Sequence, residues 1–175
     1  MGLCHHIRVS QRDLELQQRW PVSFLRSVVR AALDLGDCRE SAEVSLTLTN
    51  DATIRQLNFD YRGIDKPTDV LSFALEEGPN PPRWADQPRF LGDVVVSLDT
   101  TGRQAREGGN DLKSELSWVV AHGTLHLLGF DHQSDGELEA MRERERLILE
   151  RLQVGRTWPQ LWPEGDLGDI DKLQP

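Results

Sequence analysis

Cysteine is scarce: the 175 residues hold two, Cys4 and Cys38. That count gives no disulfide framework and leads us to expect free thiols in a reducing compartment. Long apolar runs are missing as well. None approaches the ~20 residues that cross a bilayer, and the opening Met1-Gly-Leu-Cys-His-His-Ile-Arg carries no apolar signal core. His6 stands where a myristoylation signal needs Ser or Thr. The expectation is a cytoplasmic protein without membrane association. Positive charge is also in deficit, with 20 Lys and Arg against 29 Asp and Glu and a net charge of −9. This balance excludes a protein that coats nucleic acid non-specifically. A local cationic site stays open, because a dication held by uncharged ligands keeps its full charge.

What is present suits one ordinary domain. Apolar content of 38% and charged content of 28% are typical of a soluble chain, and the length suffices for a hydrophobic core. Ile7 and Val9 open a strand. Phe24, Leu25, Val28, Val29, Ala32 and Leu33 recur at helical spacing between Pro21 and Gly36. Val44 to Thr49 alternates as a half-buried strand, and Asn50 or Asp51 caps a short helix through about Phe59. A strand is expected over 69–75, an irregular loop with four prolines over 77–90, and a buried strand over 90–98. Helices follow around Thr101–Arg106, over Leu112–Leu128 and over Glu137–Leu152. The last carries alternating Glu and Arg, read as a solvated face. Strands and helices mixed without strict alternation predict an α+β fold, a small mixed β-sheet packed with several helices. The composition shift after Val154 sets the domain at 1–153 and a loosely ordered tail at 154–175. His5 and His6 are read as solvated.

One stretch carries chemistry: His122-Gly-Thr-Leu-His126-Leu-Leu-Gly129-Phe-Asp131-His132. His122 and His126 lie four residues apart in a helix-prone run, so their imidazoles share one face. Gly129 can take the positive φ that ends a helix, returning His132 as a third nitrogen donor. Three neutral imidazoles around one ion leave a fourth position open, the arrangement of a catalytic zinc site. One Zn2+ per chain is expected, although imidazole also suits other transition metals. The spacing copies the metal-binding half of the zinc-peptidase helix signature, but Gly123 occupies the position of its glutamate base. Without that base a peptidase loses a proton shuttle worth ~10²–10⁴ in rate. Asp131 either orients an imidazole or accepts backbone N–H groups in the turn. Ser117 and Thr124 are packing or locally hydrogen-bonded residues.

A second polar cluster runs Asn58-Phe-Asp-Tyr61-Arg62-Gly-Ile-Asp65-Lys66-Pro67-Thr68-Asp69-Val70-Leu71-Ser72-Phe73. Arg62 offers a planar fork suited to phosphate. On composition alone, an ion pair of Arg62 with Asp60 or Asp65 is the simpler reading.

These two segments, with Leu91-Gly92-Asp93-Val94, resemble the YbeY family of bacterial endoribonucleases and rRNA maturation factors over roughly residues 44–150. Phe130 stands where the family commonly has tyrosine, and Ala74 replaces a frequent proline; neither touches a proposed ligand. The resemblance implies zinc on His122, His126 and His132, and Arg62 as the catalytic or phosphate-binding arginine. It implies cleavage of single-stranded RNA in 16S rRNA 3′-end maturation and in ribosome quality control. The implied partners are rRNA, proteins of the 30S subunit and a ribosome-assembly GTPase. Two other readings follow from the His spacing: a metallopeptidase-like hydrolase, or a non-enzymatic, zinc-stabilised ribosome-assembly factor.

Overall fold

Along Ala42–Thr49, Val44, Leu46 and Leu48 are buried while Glu43, Ser45 and Thr47 are half-buried. This period of two marks a strand with one face on the core. A computed structural model describes residues 4–75, 87–131 and 134–157 and assembles such segments into one sheet. The described elements are β1 (His6–Gln11), α1 (Val22–Leu35), β2 (Ala42–Thr49), α2 (Asp51–Arg62), β3 (Val70–Ala74), β4 (Arg89–Ser97), α3 (Leu98–Glu107), α4 (Leu112–Leu127) and α5 (Asp135–Arg151). Strand order is β1-β2-β4-β3, with β3 antiparallel to β4 and the other pairs parallel. The fold is α+β, as expected. Residues 77–86 of the proline-rich segment lie outside the described residues, while Arg89 and Phe90 already belong to β4.

The two faces of the sheet serve different helices. Val70, Val94 and Val96 point into the main core with α1, α4 and α5; Leu71 and Val95, one residue out of phase, meet Ile54 and Leu57 of α2. Helix α4 is the centre of the molecule, with nearly every residue from Ser114 to Leu127 buried. A helix buried on nearly every side needs neighbours around its whole circumference. The sheet, α1, α3 and α5 all pack against it. None of the described helices is long and apolar enough to cross a membrane.

Helix α2 runs three residues beyond the expected end at Phe59. Gly63 (φ +69) is the residue that adopts the left-handed turn and stops it, so Arg62 occupies the last helical position. Its start is tied to α3. The Asp51 carboxylate accepts from Ser97 Oγ (2.5 Å), Thr100 Oγ1 (2.7 Å) and Arg103 Nη1 (2.7 Å), and the Asp51 N–H donates to Asp99 (3.0 Å).

One terminal residue differs from expectation. His5 is not solvated: it is buried, and its Nδ1 accepts from the Ala42 N–H at 3.3 Å. Edge strand β1 begins beside it, which draws the ring in. The segment after Val154 begins with placed residues. Arg156 stacks its guanidinium 4.1 Å from the Trp118 ring centroid and pairs with buried Glu115 at 2.9 Å. Asn110 holds the Thr157 N–H at 2.8 Å. Residues 158–175 lie outside the described residues. Both cysteines are free thiols, Cys4 exposed and Cys38 buried.

The Asp51 cluster has a consequence for acid stability. Partial burial pushes its carboxyl up, but hydrogen bonds from Ser97, Thr100 and Arg103 outweigh this and hold it below the ordinary carboxylate value. A folded pKa below the unfolded one stabilises above the unfolded value of 3.8 and is lost as pH falls through the folded value. Asp51→Asn is expected to lower stability near neutral pH and to flatten the acid limb of the pH–stability curve, measured by urea unfolding between pH 2 and 7.

Candidate metal centre

Buried on α4, His122 has to satisfy two ring nitrogens without water. Its Nδ1 lies 2.6 Å from Oε1 of Glu145 on α5, and both side chains are almost fully enclosed, at 4% exposure each. A carboxylate can only accept, so Nδ1 donates and Nε2 is left with its lone pair outward. One turn later, His126 brings its own Nε2 to 3.1 Å from that of His122. Two ligands at ~2.0–2.1 Å from a tetrahedral zinc would be about 3.3 Å apart, so the observed spacing fits a shared ion. Orientation of a ligand histidine by a carboxylate on its far nitrogen is the usual outer shell of such sites.

The turn after α4 also follows the expected path. Gly129 takes φ +86, and the N–H groups of Gly129 and Phe130 return to the carbonyls of His126 and Leu125. Asp131 stands half-buried at its end. His132 lies outside the described residues, and among the described residues no third His, Cys, Asp or Glu completes a ligand set. Ser117 and Thr124 donate to the carbonyls four residues back, at 2.7 Å each, the local role expected of them.

Glu145 is the functional candidate that sequence reasoning missed. It sits within the alternating Glu and Arg run of α5, whose pattern predicts a solvated face. Most of that run is solvated: Arg146 pairs with Glu143 and Glu150 on the surface. Glu145 turns the other way, on the helix face with Met141, Ile148 and Leu149. Its i, i+3 and i, i+4 relation to those apolar residues was the available signal.

Gly123 acquires a second meaning. An added Cβ would lie 2.8 Å from Val94 Cγ1, 2.9 Å from Val70 Cγ2 and 3.1 Å from Ser72 Oγ. The helix here rests directly on the sheet, and Ser72 Oγ donates to the Gly123 carbonyl at 2.9 Å. The glutamate base of zinc peptidases has no space at this position. Packing excludes it.

The second motif divides into residues that hold the frame and residues that face outward. Buried Asn58 donates to the Lys66 carbonyl at 2.8 Å, pinning the loop after α2 to the helix. Asp69, also buried, accepts from Thr68 Oγ1 (3.1 Å), the Val70 N–H (2.8 Å) and Gln104 Nε2 (3.3 Å), fixing the start of β3. Arg62 is half-buried, with Nε and Nη2 shielded from solvent. Nearby, Asp65 takes a two-pronged contact from Arg55 (2.6 and 2.8 Å), and Asp60 accepts from Gln56 (2.8 Å).

Two substitutions test this construction. Glu145→Ala is expected to weaken zinc binding by about 10–100-fold, with Glu145→Gln less damaged, read by competition with a chromophoric chelator. Gly123→Ala is expected to destabilise the fold by about 1–3 kcal/mol through overpacking against stiff valines, measured by chemical denaturation. Trimming Val94 to Ala in the same chain should recover part of that loss.

Comparison with known proteins agrees with the resemblance. The family model described as Endoribonuclease YbeY matches residues 6–153. The endoribonuclease YbeY of Desulforamulus reducens is 46% identical over 146 residues, covering 83% of this chain and 95% of the relative. That of Pelotomaculum thermopropionicum is 50% identical over 117 residues, covering 67% and 76%. Among solved structures, the solution structure of TM1509 from Thermotoga maritima aligns with a TM-score of 0.54 at 25% identity, covering 84% of this chain and 91% of that one. With a match across nearly the whole described fold, the chain belongs to the endoribonuclease YbeY family.

Proposed function

We propose that this protein is a zinc-dependent endoribonuclease that cuts single-stranded RNA, with His122, His126 and His132 as the metal ligands. The observation that carries the reading is the pair of imidazole Nε2 atoms facing each other at 3.1 Å, one of them oriented by a buried carboxylate. Neutral nitrogen donors of this kind suit zinc. When bound, zinc supplies polarisation of a phosphoryl oxygen and a water acidic enough to attack near neutral pH.

The chain's own residues do the rest. Glu145 keeps the His122 ring in one tautomer and orientation, and Asp131 is assigned the corresponding support beside His132. Arg62 holds a phosphate oxygen and steadies the charge that develops on the phosphoryl group as the P–O bond breaks. Its fork is an answer to the net charge of −9: the cation and Arg62 concentrate positive potential where a polyanion has to be held. The substrates we assign are rRNA precursors at the 16S 3′ end and defective ribosomal RNA, in the cytoplasm. Proteins of the 30S subunit and an assembly GTPase are the proposed partners. The peptidase reading is weakened by the closed space at Gly123. A purely structural zinc is weakened by a ligand set of three, since structural sites close with four protein ligands.

Metal analysis and cleavage of an unstructured RNA on three proteins test the proposal. The wild type is expected to carry about one zinc per chain and to cut. His126→Ala should lose both metal and cutting. Arg62→Ala should keep its metal and lose about 10²–10³ in rate, the size of a removed charge-stabilising donor. Full activity of Arg62→Ala would show its assigned role to be wrong.

A further inference from the structure

Tyr61 is the one tyrosine of the chain, and it stands directly before Arg62 in the last turn of α2. A large ring in this position would normally be turned inward. Instead Tyr61 is 62% exposed, with Phe73 of β3 supporting it at a centroid distance of 4.9 Å and an interplanar angle of 60°. Phe73 is itself anchored on the small core of Ile54, Leu71 and Val95, so the exposed ring rests on a fixed base. Accepting the endoribonuclease reading above, on which this rests, we propose that Tyr61 is a stacking platform for one unpaired nucleobase of the RNA, next to the phosphate held by Arg62.

The ring favours a base over a second phosphate as the occupant, because it offers a π face and no positive charge. A nucleobase is uncharged and presents a π face to an aromatic ring whatever its identity. Arg62 offers its guanidinium to the adjoining phosphate. The arrangement also selects for strandedness, because bases in a duplex are already stacked on their neighbours and cannot reach a side chain without being pulled out.

A single tyrosine gives the test a clean reporter. The full-length protein is labelled with 3-fluorotyrosine and titrated with a 2′-O-methyl oligoadenylate checked for integrity afterwards. The single ¹⁹F resonance is expected to shift saturably, and less with the matched duplex. Tyr61→Ala should bind the single strand about tenfold more weakly with unchanged zinc content and unfolding midpoint, while Tyr61→Phe and Tyr61→Trp bind like the wild type. The salt dependence of binding should be unaltered in Tyr61→Ala and reduced in Arg62→Ala, since only the latter removes a phosphate contact. An unmoved resonance at saturating oligonucleotide, or Tyr61→Ala binding within twofold of wild type, overturns the platform and leaves the nuclease reading intact. A wild type that binds no RNA overturns both.

Discussion

From Ser114 to Leu127, helix α4 is buried at every residue except half-buried His126, so the polar side chains enclosed along it need partners from inside the protein. Buried backbone and side-chain groups without partners cost about 1–3 kcal/mol each, and the structure is arranged to avoid that cost at the chemically important positions. His122 is met by Glu145 of α5, and Glu115 by Arg156 from the segment beyond α5. Ser117 and Thr124 turn back onto their own helix. What would be isolated polar groups on a lone helix become fixed contacts between α4 and its neighbours.

The same enclosure prepares the site for chemistry. A histidine whose far nitrogen is held by a buried carboxylate cannot rotate or change tautomer without breaking a contact inside the core. Such rigidity would suit a metal ligand, whose geometry is best set in advance. On its opposite side α4 touches the sheet through Gly123, where Ser72 adds a hydrogen bond. One helix therefore joins β3 to α5. Since the loop leading into β3 is pinned to α2 by Asn58, the arginine at the end of α2 is attached to the same frame.

Much of this was readable from the order of residues. The helical spacing of His122 and His126, the turn at Gly129 and the alternation in β2 each follow from local periodicity, and each stands in the structure where expected. The misses share a physical cause. Glu145 was read with its charged neighbours because a run of Glu and Arg normally faces water; only the packing of α5 on α4 turns it inward. The sequence around His5 predicts a solvated ring, and burial beside β1 reverses that. The apolar pattern ends α2 at Phe59, whereas the helix continues until Gly63 can leave it.

The sequence by itself determined the elements and the spacing of the candidate ligands, because helical and strand periods and residue spacing are properties of neighbours along the chain. It determined why no peptidase base stands after His122, in the sense that glycine is there to be read. Tertiary structure alone decided that the glycine is required by two valines and a serine from the sheet, and that a carboxylate 23 residues away orients the first histidine. It alone decided that the ring before Arg62 faces outward on a support from β3. Such pairings join segments distant in the chain, and no local pattern encodes which of two faces a residue will turn toward the other.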